Sequence, residues 1–98
     1  MDATKLAKEI LANVGGKENV QDLTHCFTRL RFVLKDNSKA DKKTVERLEG
    51  VIQVVEAGGQ FQVVLGSKVE KVYDATLPLV DLDEGGSVTP QSGNFWNN

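Results

Sequence analysis

The only histidine and only cysteine of this chain stand side by side as His25 and Cys26, and Arg29 and Arg31 follow within the same segment, HCFTRLRFVLKD. Leu30, Phe32 and Leu34 alternate with Arg29, Arg31 and Val33, the pattern of a half-buried strand. Alternate strand residues share a face, so the two guanidiniums project to one side, roughly 6.5–7 Å apart along the chain. The apolar set on the other side is claimed by the core. Cys26 falls at the turn before this strand. Two fixed cations beside a thiol lower its pKa from about 8.5 by favouring the thiolate, and their planar forks suit an oxyanion such as phosphate. Backbone N–H groups of the turn, at Phe27 and Thr28, together with the Thr28 hydroxyl, form a small anion nest. A thiolate in that setting is a nucleophile suited to receive a phosphoryl group. On the residues alone a second reading stands equally: Cys26 is an inert, buried small hydrophobe, and the arginines are a solvated strand face.

Other chemistries fit less well. A tyrosine-phosphatase-like loop needs one more residue than the four that separate Cys26 from Arg31, and a helix where this sequence continues as a strand. Adjacent His25 and Cys26 supply too few ligands for a metal site, and no cofactor is expected. A Cys–His catalytic pair fails because neighbours in an extended segment point to opposite faces. Neither Gly15-Gly16 nor Gly58-Gly59 continues into a nucleotide-binding loop.

The elements that must position the cysteine follow from hydrophobic spacing. Residues 3–14 read as a helix with Asp2 as N-cap and Leu6, Ile10, Leu11 and Val14 on one face, ended by Gly15-Gly16. Residues 20–26 read as a first strand, although Val20 and Leu23 do not alternate cleanly. After the polar loop DNSKADKK, Asp41 caps a short helix carrying Val45 and Leu48. Gly58-Gly59 joins two β-branched runs, VIQVVEA and QFQVVLG, as a two-residue hairpin turn. A last helix begins at SKVEKVYDATL, with Ser67 and Glu70 as a capping box and Val69, Val72, Tyr73 and Leu77 on one face, and stops at Pro78. The order αββαββα predicts an α+β fold: a four-stranded antiparallel sheet with three helices packed on one face.

Ninety-eight residues suffice for one core, and 40% hydrophobic with 27% charged residues is ordinary for a globular domain. A net charge of −2 argues against a general nucleic-acid surface. No apolar run reaches the roughly 20 residues of a membrane span. The N-terminus lacks the apolar stretch of a secretory signal, and one cysteine fits a reducing cytoplasm. The expected organisation is a domain over residues 1–78 and a Gly-, Ser- and Asn-rich linker over 79–98, in which Phe95 and Trp96 stand out.

HCFTRLRFVLKD resembles the phosphorylation-site signature of enzyme IIB domains of the bacterial phosphoenolpyruvate-dependent sugar phosphotransferase system, glucose superfamily. The likeness runs from Gly15-Gly16 and Asn19-Val20 through Cys-x-Thr-Arg-Leu-Arg to the second hairpin and last helix, about residues 3–78. His25 and GGQFQVVLG are similar to the β-glucoside/sucrose/trehalose branch. The resemblance implies that Cys26 is a phosphocysteine, charged by phosphohistidine on a IIA partner and discharged to a sugar held by a membrane IIC partner at the inner face of the cell membrane. Arg29 and Arg31 match the motif arginines that assist transfer, and Thr28 matches its threonine. His25 either fixes the loop by a backbone hydrogen bond or assists proton transfer or phosphate binding. Docking on two partners calls for an apolar rim: Phe27 either stands at the exposed tip or tucks into the core, and Gln60 and Phe61 are placed near the same face. The tail resembles the start of a linker to IIC. The competing class is a non-catalytic regulatory or binding homologue whose cysteine is a redox or structural thiol.

Overall fold

A computed structural model describes residues 2–80. Asp2 caps the first helix, α1 (Ala3–Asn13), by accepting from the Thr4 and Lys5 N–H groups at 3.0 and 3.2 Å. Leu6, Ile10, Leu11 and Val14 are buried, as their spacing predicts. The strands β1 (Val20–His25) and β2 (Arg29–Leu34) form one hairpin; β3 (Gln53–Ala57) and β4 (Gln60–Val64) form the other. Gly58 and Gly59 turn the second hairpin with φ of +59° and +77°, values that side chains resist. The antiparallel pairing of β2 with β4 joins the hairpins into one four-stranded sheet in the order β1-β2-β4-β3. α2 (Lys42–Arg47), capped by Asp41, connects the hairpins, and α3 (Val69–Val80) follows β4.

Leu23, Leu30, Phe32, Leu34, Val54, Phe61 and Val63 bury the inner face of the sheet beneath the helices. The irregular spacing of Val20 and Leu23 has a physical cause. The β1–β2 register shifts between Val20 and Asp22, and that bulge turns both apolar residues inward.

The last helix departs from expectation in three respects. It passes through Pro78 instead of stopping there. A proline inside a helix loses one intrahelical bond and presses on the carbonyl four residues back, roughly 3 kcal/mol, and the roughly 1.5–3 kcal/mol from burying a valine offsets most of this, since Val80 is buried with Leu79 packed beside it. Ser67 lies inside a single 3₁₀ turn, Gly66–Lys68, that feeds the helix, so it does not serve as the N-cap. Leu77 is exposed; the buried stripe runs Val69, Val72, Thr76, Val80, and the Thr76 hydroxyl donates to the Val72 carbonyl at 2.6 Å. Of the expected linker, residues 81–98, including Phe95 and Trp96, lie outside the described residues. Among the described residues no helix is long and apolar enough to cross a membrane.

The end of the sheet remote from Cys26 is tied by one buried side chain. Asn19 donates from Nδ2 to the Val14 and Asp36 carbonyls at 2.8 and 2.9 Å, and its Oδ1 accepts from the Asp36 N–H at 2.9 Å. It thereby joins the end of α1 to the end of β2. Gly15, at φ +101°, makes room: a Cβ there would lie 2.6 Å from Asn19 Nδ2. Asn19→Ala strands three backbone groups and is expected to cost about 2–4 kcal/mol, lowering the melting temperature by roughly 10–20 °C. Thermal unfolding followed by circular dichroism checks this; a loss under about 0.5 kcal/mol, the level of a neutral surface change, would refute the assignment.

Candidate active site

The β1–β2 turn closes where the Cys26 N–H donates to the Arg29 carbonyl at 3.0 Å, leaving Phe27 and Thr28 at its tip. The Thr28 carbonyl accepts two N–H groups, from Leu65 at 2.8 Å and Gly66 at 3.0 Å. The tip is therefore fastened to the segment between β4 and α3, and Gly66 adopts φ +71° there. Cys26 itself is half-buried.

Its thiol is pulled from 9.0 down to about 7, first by the Thr28 N–H; burial opposes this, and the Arg29 N–H, the Arg31 charge and the Thr28 hydroxyl lower it further. About half of the sulfur is then thiolate at neutral pH. The two arginines, equivalent in the sequence, divide. Arg31 acts on the sulfur through its charge, whereas Arg29 acts through its backbone. The Arg29 Nη1 donates to Gln62 Oε1 at 2.8 Å, and Gln62 Nε2 donates to Gln60 Oε1 at 2.9 Å. Gln62 is only 7% exposed although it lies on the outer face of the sheet, directly across from Arg31. Arg31 Nε is buried and has no hydrogen-bond partner among the described residues.

Phe27 is 94% exposed, so it stands at the tip and does not tuck into the core. The placement of Gln60 and Phe61 beside it is corrected. Phe61 faces inward against Phe32 and is buried, because the QFQ alternation gives its one apolar residue to the core. Gln60 pairs with Val33, whereas Arg29 pairs with Val64, which puts Gln60 about 13 Å along the strand, at the other end of the sheet.

His25 pairs with Leu30 and so shares the inner face, at the sheet end covered by α3. Its ring centroid lies 4.4 Å from that of Tyr73, with the planes at 53°. His25 Nδ1 is 2.9 Å from the Cys26 carbonyl oxygen. A carbonyl only accepts, so Nδ1 carries the proton. Burial raises the Tyr73 hydroxyl pKa, and the Asp22 and Asp74 carboxylates add to this. An open groove lined by His25, Cys26, Phe27, Ser67, Val69 and Glu70 runs beside the thiol. Gln62 and Tyr73 escaped the sequence reading as site residues. The signal for Gln62 was its parity with Gln60 on a strand whose outer face must meet Arg31; nothing local signalled Tyr73. Among the described residues no group of three or more His, Cys, Asp and Glu side chains is arranged for a metal ion.

The family model described as phosphotransferase system, EIIB matches residues 8–41. A β-glucoside-specific EIIBCA component of the phosphotransferase system from Bacillus subtilis is 48% identical over 92 residues, covering 94% of this chain and 15% of that protein. A sucrose-specific EIIBC component from the same organism is 41% identical over 92 residues, covering 93% of this chain and 20% of the relative. The chain thus spans only a small part of the length of these relatives. A crystal structure of one domain of the phosphotransferase-system IIabc component from Clostridium difficile superimposes with a TM-score of 0.71 at 27% identity, covering 96% of this chain and 98% of that one.

The unequal roles of the arginines are measurable through the rate of thiol alkylation against pH. The wild-type midpoint is expected near 7. Arg31→Gln removes a charge that stabilises thiolate and raises the midpoint, whereas Arg29→Gln keeps the backbone N–H and leaves it nearly unchanged. Equal displacement in both variants would sink the distinction.

Proposed function

The chain belongs to the EIIB family of the phosphotransferase system, and from that premise we propose that Cys26 is its phosphoryl relay during sugar uptake. The thiolate attacks the phosphorus of a phosphohistidine on a IIA partner. The S–P bond forms as the P–N bond breaks, and the departing imidazole keeps the bonding pair and takes up a proton. A hydroxyl of a sugar held by a membrane IIC partner then attacks the phosphocysteine; its O–P bond forms with loss of the hydroxyl proton, and Cys26 leaves as thiolate. The names of the relatives, EIIBC and EIIBCA, support both partners; on this reading the domain works at the inner face of the cell membrane, joined to IIC by a linker over residues 79–98. β-Glucosides and sucrose define the substrate class that these relatives suggest.

The observation that carries the proposal is the thiol held near neutrality by N–H groups of its own turn. Phosphoryl transfer needs positioning and neutralisation of the equatorial oxygens more than covalent help from the protein. The N–H groups of Thr28 and Arg29 and the Thr28 hydroxyl act on the thiol, and the Phe27 N–H at the tip of the same turn is assigned to the phosphoryl oxygens with them. Arg31 Nε, a buried donor without a protein partner among the described residues, is available to an oxygen of the arriving group. Arg29 is held by Gln62, so its remaining guanidinium N–H groups are presented in a fixed direction. Phe27 offers an apolar contact on the rim that each partner must cover.

Given phosphoenolpyruvate, the general phosphotransferase proteins and a IIA domain, the chain should gain one phosphoryl mass, located on Cys26 and lost in Cys26→Ser. No gain sinks the relay. The acceptance rate should rise with pH through about 7 and level off above it, following the thiolate. Arg29→Lys and Arg31→Lys should fold normally and transfer at least about tenfold more slowly, since an ammonium cannot reproduce the fork. Phe27→Ala should leave stability within about 0.5 kcal/mol and raise the KM for the IIA partner; an unchanged KM would remove Phe27 from the docking rim.

A further inference from the structure

The turn at Cys26 departs from an ordinary two-residue hairpin in one bond. Such a turn closes with two reciprocal backbone hydrogen bonds between the residues that flank it. Here the Cys26 N–H reaches the Arg29 carbonyl at 3.0 Å, but among the described residues no backbone N–H donates to the Cys26 carbonyl. The Cys26 carbonyl is instead met by His25 Nδ1 at 2.9 Å, and the Arg29 N–H lowers the pKa of the Cys26 thiol.

We propose that His25 is the positioning residue of this turn: its Nδ1–H takes the place of the Arg29 N–H on the Cys26 carbonyl, and so releases that N–H to the sulfur and to the phosphoryl group it carries. A carbonyl left without a donor would draw on the N–H that pairs with it in an ordinary two-residue hairpin, that of Arg29. The ring is held for this duty from two directions. As an inner-face residue at the end of β1 it packs on Tyr73 of α3, and it lines the groove beside Cys26. The stacking sets the plane of the imidazole, and the carbonyl then selects the Nδ1–H tautomer of the neutral ring. Among the described residues the imidazole makes its one hydrogen bond to the Cys26 carbonyl, so in this role His25 acts through the Cys26 peptide. The role in transfer rests on the relay proposed above; the effect on the thiol does not.

The test separates the two. The full chain and its His25→Phe and His25→Asn variants are titrated by alkylation rate against pH, which requires no phosphoryl donor. Phenylalanine preserves the packing on Tyr73 and has no donor, whereas the asparagine carboxamide places an N–H close to where Nδ1 stood. With the thiol starting at about 7, a rise to roughly 8 lowers the thiolate fraction at pH 7 about fivefold. His25→Phe is expected to show that loss in alkylation rate and a larger loss in phosphoryl acceptance, and His25→Asn to recover most of both. A wild-type midpoint in His25→Phe, or the same displacement in both variants, overturns the proposal. The wild-type chain supplies a measurement that needs no variant to fold: nitrogen chemical shifts of the imidazole above pH 8 should report the Nδ1–H tautomer, and a dominant Nε2–H tautomer overturns it. If Cys26 accepts no phosphoryl group at all, the alkylation and tautomer results still decide the role of His25.

Discussion

Everything at the active turn depends on one acceptor, the Thr28 carbonyl, which takes the N–H groups of both Leu65 and Gly66 at 2.8 and 3.0 Å. Without that bond the β1–β2 turn would be a free hairpin end, and such tips are ordinarily the most mobile parts of a small domain. With it the turn is fastened to the β4–α3 junction, beside the groove and the start of the last helix. Gly66 makes the convergence possible. At φ +71° it bends the chain so that successive N–H groups meet one oxygen, and a Cβ there would press to 3.3 Å on Ile52.

From that anchor the polarity of the turn follows. Three carbonyls of the turn are drawn into the protein: that of Cys26 by His25, that of Thr28 by Leu65 and Gly66, and that of Arg29 by the Cys26 N–H. The N–H groups of Thr28 and Arg29 act on the sulfur and lower the pKa of the thiol. Peptide dipoles sorted in this way make a cationic pocket without spending a side-chain charge on it. That is why backbone, and not arginine, has the largest influence on the thiol. The far end of the sheet uses the same device with a different donor, Asn19, whose carboxamide satisfies the ends of α1 and β2 together.

The parts of this arrangement that were legible in the sequence are those governed by local rules. Alternation located β2 and assigned its faces, paired glycines located the second turn, and aspartates at positions 2 and 41 marked two helix starts. Local rules also erred where burial overrode them. Pro78 did not end α3 because Val80 completes the buried stripe, and Leu77 lost its place inside to Thr76. Gln60 and Phe61 are expected together near the docking face, although the strand period sends the two to opposite faces of the sheet. The contacts that shape the site were beyond any local rule. Tyr73 reaches His25 across 48 positions of chain, and Gln62 reaches Arg29 across 33. Such pairs are created by the pairing of β2 with β4 and by the packing of α3, and a pattern of hydrophobicity carries no record of them.

The arginines show how much a motif leaves open. On alternation alone Arg29 and Arg31 are the same residue twice, equally exposed and equally cationic. Pairing of β2 with β4 breaks the equivalence, because Gln62 sits across from Arg31 yet bonds diagonally to Arg29. Arg29 is thereby held by one hydrogen bond, whereas Arg31 has a buried Nε with no hydrogen-bond partner among the described residues. Leaving a buried donor unpaired costs about 1–3 kcal/mol, a cost that a phosphoryl oxygen arriving in the proposed relay would remove. The division of labour lies in the sheet register, and a change of register by one residue would abolish it while leaving the motif intact.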